Sequence, residues 1–130
     1  MQALFKIVPL LALVASVAQA QTAAPNYQGQ WTGMATAATG AQVRVLLTIK
    51  GPGGVLRMTP SANYVTIDQC HDRDLPLSVE SQTASELNIA IKGDTVLKGC
   101  LTETATLKAI DANTLQGTLK DGRTMKLVRK

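Results

Sequence analysis

The stretch Gln42-Val43-Arg44-Val45-Leu46-Leu47-Thr48-Ile49-Lys50, running straight into Gly51-Pro52-Gly53-Gly54, sets the reading of the whole chain. Val43, Val45, Leu47 and Ile49 alternate with Gln42, Arg44, Leu46 and Thr48. A period of two puts the first set on one face of a strand and the second on the other, whereas a helix would need apolar residues every three or four positions. The glycine and proline cluster then reverses the chain. The same alternation returns in Leu87, Ile89 and Ile91, in Ala105, Leu107 and Ala109, in Leu115, Gly117 and Leu119, and in Met125 and Leu127. Between these runs lie Gly93-Asp94, Asp111-Ala112-Asn113 and Asp121-Gly122. Asp121-Gly122 predicts a type I′ hairpin, with positive φ at both central residues, that pairs 115–120 with 123–130 antiparallel.

Candidate strands are 29–37, 41–50, 54–59, 62–68, 76–81, 85–92, 95–102, 104–110, 115–120 and 123–129, of which about eight are expected to survive. The one segment with any helical tendency is Ser78 to Leu87, as a single short turn. Short strands at this spacing, joined by hairpin-length connections, predict an all-β fold: a single small antiparallel meander barrel of about eight strands. Gly99 and Gly117 fall inside predicted strands, where a missing side chain permits the coiling that a small closed sheet needs.

The first twenty residues read differently from the rest. Lys6 is followed by the apolar run Ile7 to Val17 and by Ala18-Gln19-Ala20, the charge, apolar core and small-x-small ending of a cleaved signal peptide. That run is too short to span a bilayer. The expected organisation is a signal peptide at 1–20, a flexible arm at 21–28 and a β-barrel domain at 29–130, with a periplasmic or secreted product and no membrane span. Cys70 and Cys100 are the only cysteines, and in an exported chain they read as one structural disulfide.

The formal net charge is +4, of which Lys6 in the leader contributes one. Arg123, Lys126, Arg129 and Lys130 crowd the C-terminus and read as the solvated face of a terminal strand. Past the leader the aromatic residues are Tyr27, Trp31 and Tyr64, too few for the stacking platforms of single-stranded nucleic acids, so no nucleic-acid partner is expected.

Gly29-Gln30-Trp31, followed by Thr32-Gly33, resembles the Gly-x-Trp opening of the calycin-like barrels: lipocalins, avidin-type proteins and small bacterial inhibitors of secreted metalloproteases. The resemblance implies that Trp31 closes one end of the barrel, packing toward the C-terminal strand that carries Arg123 to Arg129. It further implies either a ligand held in the open end or an inhibitor whose N-terminal segment, here Gln21 to Asn26, enters a protease. In those inhibitors the disulfide lies closer to the tryptophan than Cys70 to Cys100 does.

Chemistry-bearing clusters are sparse. Asp68, Asp72 and Asp74 lie near Cys70, His71 and Arg73, but the spacing lacks the glycine and distal glutamate of an EF-hand, and one histidine with oxidised cysteines makes a poor zinc site, so no metal is expected. A serine-histidine-aspartate site would need His71 with Ser61, Ser78, Ser81 or Ser85, without a nucleophile elbow. Glu80, Glu86 and Glu103 lack the aromatic platforms of glycoside hydrolases. The expectation is a non-enzymatic, cofactor-free monomer that acts by binding. In one version an apolar ligand is lined by Val43, Val45, Leu47, Leu87, Ile89, Leu107 and Leu119. In the other the protein is an inhibitor or interaction module for another exported protein, with recognition on the arm or on loops 51–54 and 68–76.

Overall fold

A computed structural model describes residues 26–61 and 68–130. Eight strands follow one another in chain order: β1 (Gly29–Thr36), β2 (Gln42–Lys50), β3 (Gly53–Pro60), β4 (Asp74–Gln82), β5 (Glu86–Lys92), β6 (Thr102–Asp111), β7 (Thr114–Thr118) and β8 (Thr124–Arg129). Each pairs antiparallel with the next, and β8 returns to β1 from Trp31 opposite Arg129 to Thr36 opposite Thr124, closing the barrel. The expected meander barrel is the observed fold. Closure removes the exposed edges that would otherwise invite pairing with another chain.

The alternation that defined the strands also sorts their faces. Val43, Val45, Leu47 and Ile49 are buried, as are Leu87, Ile89 and Ile91, while their neighbours in sequence are exposed or half-buried. One contiguous core fills the barrel, from Tyr27 and Trp31 at one end to Leu119 and Cys100 at the other. The Cys70–Cys100 disulfide forms, joining the β3–β4 connection to the β5–β6 connection.

Four local expectations are corrected. Ser78 to Leu87 contains no helical turn: β4 runs on to Gln82 and β5 starts at Glu86, because Val79 opposite Ile89 keeps both strands in the sheet. The stretch 95–102 is not a strand. It folds as a 3-10 turn at Gly93–Thr95, followed by local bonds from Leu97 N–H to Gly93 C=O and from Cys100 N–H to Leu97 C=O. These residues are consumed in swinging the chain round so that 102–108 pairs with 86–92, and Gly99 accordingly lies outside any strand. Asp121-Gly122 does pair β7 with β8, but through a different turn. Only Gly122 has positive φ (89°), and its N–H bonds to Leu119 C=O, the pattern of a type I turn followed by a glycine bulge. Finally, Tyr27 is 2% exposed, so 26–28 belong to the barrel rather than to an arm. The expected signal peptide at 1–20, residues 21–25 of the expected arm and residues 62–67 of the candidate strand 62–68 lie outside the described residues.

Among the described residues no helix is long and apolar enough to cross a membrane.

Candidate functional site

The two ends of the barrel are built differently. At the end where β1 begins, the connections are tight: 51–52, 83–85 and 112–113. Trp31 points inward there, and its Nε1–H donates to Tyr27 C=O at 2.9 Å. The Arg129 guanidinium stacks over the Trp31 ring, 4.1 Å from its centroid. Its N–H groups donate to the carbonyls of Gln28, Asn26 and Ala112. Tyr27 OH in turn donates to Thr83 C=O at 2.8 Å, and the Gln28 amide bonds both ways with the Gly51 backbone. A planar five-donor fork is the side chain that can reach three carbonyls while lying flat on an indole. This end is sealed.

Exchanging Arg129 for lysine keeps the charge and loses the fork. We expect a loss of about 1–2 kcal/mol in urea unfolding followed by Trp31 emission, from the stacking and the charge-assisted bonds together. A variant as stable as the parent would show that the clamp is dispensable.

Burial pushes the Tyr27 phenol above its ordinary value of 10.0, with the Glu86 carboxylate adding to the rise. An acid whose pKa is raised on folding stays protonated in the native chain while the unfolded chain ionises. Stability therefore falls as pH climbs above 10.0 toward the raised value and is unaffected below that window. The fall should flatten in Tyr27→Phe, measured by thermal unfolding between neutral and strongly alkaline pH, at the cost of the Thr83 hydrogen bond.

The seven residues expected to line a ligand face the interior together. Val45, Leu47, Leu87, Ile89 and Leu107 are 0% exposed, and Val43 and Leu119 are 2% exposed. A side chain with no accessible surface borders no space that a water molecule enters, so those five touch only other protein atoms. An eight-stranded barrel is just wide enough for its own side chains to fill it.

The opposite end gathers the connection 37–41, residues 61 and 68–73 of the β3–β4 connection, and 93–101, together with the β7–β8 turn, and the disulfide braces two of these connections. A polar pocket of about 430 Å³ opens here, with Ala35 and Val43 on its floor and Asp68, Asp121 and Arg123 at its rim. Of the seven expected lining residues, only Val43 reaches it. Arg123 pairs with Asp121 at 2.6 Å, and Asp68 accepts from the Cys70 N–H and lies 3.7 Å from His71 Nε2. Val96, 41% exposed, projects from the same end.

The other clusters are taken apart by the fold. Asp74 pairs with Arg57 and Asp68 faces His71, and among the described residues no three histidine, cysteine or acidic side chains come together as a metal site. Ser61 donates to Gln42 C=O and Ser78 to Glu80, while Ser81 accepts from Asn88. Sequence reasoning missed the Arg129 clamp, although a signal was present. Arg129 shares its parity along β8 with the inward Met125 and Leu127, as Tyr27 does with Trp31. No family model matches the chain, and no curated protein or solved structure matches it either.

Proposed function

We propose that this is an exported, non-enzymatic interaction module of calycin-like build, which recognises another exported protein through the disulfide-braced loop end. The observation that carries this reading is the filled interior: with Val45, Leu47, Leu87, Ile89 and Leu107 at 0% exposure, recognition falls to the outside. Long loops held on a rigid scaffold are where binding residues concentrate, and here only one end has them. The covalent brace between two of those loops lowers the entropy lost when they engage a partner. Support for the calycin-like build comes from Trp31 lying across its barrel end against the last strand. A disulfide between Cys70 and Cys100 is consistent with an oxidising compartment.

The test places photo-crosslinking residues at Thr39 or Asp94 on the loop end and at Pro52 or Ala112 on the sealed end, in the protein expressed in its own host. The expected result is a discrete protein adduct from the first pair only. Adducts confined to the second pair, or a small apolar molecule retained in the native mass spectrum and lost on denaturation, would overturn the proposal.

A further inference from the structure

The outer surface of the barrel is sorted into bands that run across the strands. At one level, register sets Arg44 of β2, Met34 of β1, Lys126 of β8, Gln116 of β7 and Lys108 of β6 side by side. Adjacent strands lie roughly 4.8 Å apart, so the three cations recur about every 10 Å along the row. None of them forms an ion pair among the described residues, whose salt bridges are Arg57–Asp74, His71–Asp68 and Arg123–Asp121. Strands β1, β2, β7 and β8 carry no aspartate or glutamate at all. Glu86 stands opposite Lys108, and the Asp111 carboxyl is held below its ordinary value by the Asn113 N–H and Thr114, with Lys126 contributing.

The next level toward the loop end is neutral and hydroxyl-rich: Thr36, Thr124, Thr118, Thr106 and Asn88 stand in register on β1, β8, β7, β6 and β5. Between the two bands a groove of about 380 Å³ crosses β6, β7 and β8. Thr106, Thr118 and Thr124 form one wall, Lys108 and Gln116 form the other with the exposed Ile110 beyond them on β6, and the backbone at Gly117 lies between; Lys126 stands outside the groove lining, in register with Gln116. Thr106 is already engaged, donating to Asn88 at 2.6 Å, whereas the hydroxyls of Thr118 and Thr124 have no hydrogen-bonded side-chain partner among the described residues.

We propose that this groove binds a linear acidic polysaccharide, laid across β6–β8 with its carboxylates toward Lys108 and Lys126 and its hydroxyls toward Thr118 and Thr124. A row of cations with no salt bridge among the described residues, at even spacing, matches an extended chain of repeating negative charge, and a wall of hydroxyls and an amide matches sugar hydroxyls. A convex barrel meets a flat bilayer poorly, and among the described residues no aromatic side chain lines the groove to stack nucleobases. The site stands on the side of the barrel, separate from the loop end, and rests only on the outward-acting part of the function proposed above.

The experiment titrates isotope-labelled protein with a galacturonate oligomer, a neutral glucan oligomer and a single-stranded oligonucleotide of equal charge, following backbone amide shifts. The expected result is saturable shifts at Gly117, Thr118 and Thr124 with the galacturonate alone, weakening as salt rises. Lys108→Gln with Lys126→Gln should reduce that affinity about tenfold, and Thr118→Val, which keeps the shape and removes the hydroxyl, by about threefold. Exchanging Arg57, already paired with Asp74 on β3, should leave it unchanged. Equal binding of the oligonucleotide would reduce the groove to a general polyanion surface, and equal binding of the glucan, or shifts located elsewhere, would also overturn the assignment. Such a failure alongside intact loop-end crosslinks would remove this site and leave the interaction-module reading standing.

Discussion

Replacing Gly33 with alanine is expected to cost about 3 kcal/mol or more, a large share of the roughly 5–15 kcal/mol that holds a domain together. Gly33 sits in β1 between the inward-facing Trp31 and Ala35, opposite Val45 on β2 and Leu127 on β8. A Cβ added there would lie 1.8 Å from the Lys126 carbonyl oxygen, with Leu127 Cα only 3.0 Å away. Both obstacles are backbone, which cannot rotate aside as a side-chain tip can. Relief requires β1 and β8 to part, and that seam is what closes the barrel. Urea unfolding followed by Trp31 emission measures the loss, with Gly40→Ala as the control. Gly40 has φ of 86° but no atom within 4 Å of the added Cβ, so it should cost only about 1–2 kcal/mol of backbone strain. A Gly33→Ala barrel within about 1 kcal/mol of the parent would mean the seam is softer than its geometry implies.

The second large effect is expected from removing the disulfide. Cys70 and Cys100 are separated by 30 residues, and releasing a loop of that length should lower stability by about 3.5 kcal/mol on the chain-entropy account. Exchanging both cysteines for serine tests it by urea unfolding, in parallel with the parent under reductant. The loss has a place as well as a size. Cys100 is 4% exposed and packs on the core beside Leu97 and Leu101, while Cys70 lies in a connection that also buries His71 and bonds the Asp72 N–H to Met58 C=O. Hydrogen exchange should therefore rise first at 68–73 and 93–101, with the sealed end around Trp31 unchanged. Uniform acceleration across the barrel would show that the bond stabilises the fold as a whole and does not brace the loop end.

The parity of apolar residues made most of the barrel legible. Each run from Val43 to Ile49, Leu87 to Ile91 and Met125 to Leu127 carries its own statement of which face is buried, because a strand has only two faces. Turn residues between the runs spaced the strands closely enough that hairpins were the economical connection. Reading failed where the pattern had no period to offer. Thr95 to Leu101 is apolar enough for a strand, yet it lies where the chain must double back between β5 and β6, and local bonds from Val96 and Leu97 N–H to Gly93 C=O and from Cys100 N–H to Leu97 C=O turn its backbone instead. The glycine at Asp121-Gly122 announced the hairpin, but a dipeptide does not distinguish a type I′ turn from a type I turn with a bulge; the register of β7 on β8 selects between them.

The candidate sites were less legible than the fold. Val45, Leu47, Leu87, Ile89 and Leu107 were rightly grouped on one face. Whether that face encloses a cavity depends on barrel radius against side-chain volume, a property of eight strands together that none of them states alone. The clamp at Trp31 follows the same logic. Arg129 lies a hundred residues from Gln28, and only closure of β8 on β1 brings its guanidinium onto the indole and under three carbonyls.

By itself, then, the sequence determined what is local: alternation, turn positions, the pairing of its two cysteines, and the residues that leave water. The tertiary structure decided what depends on register and closure. It filled the interior, set long loops at one end against tight turns at the other, and aligned Arg44, Lys126 and Lys108 in one row across five strands. The reason is geometric. Periodicity fixes the face on which a side chain lies, whereas its neighbours across a sheet are fixed only when every strand has taken its place.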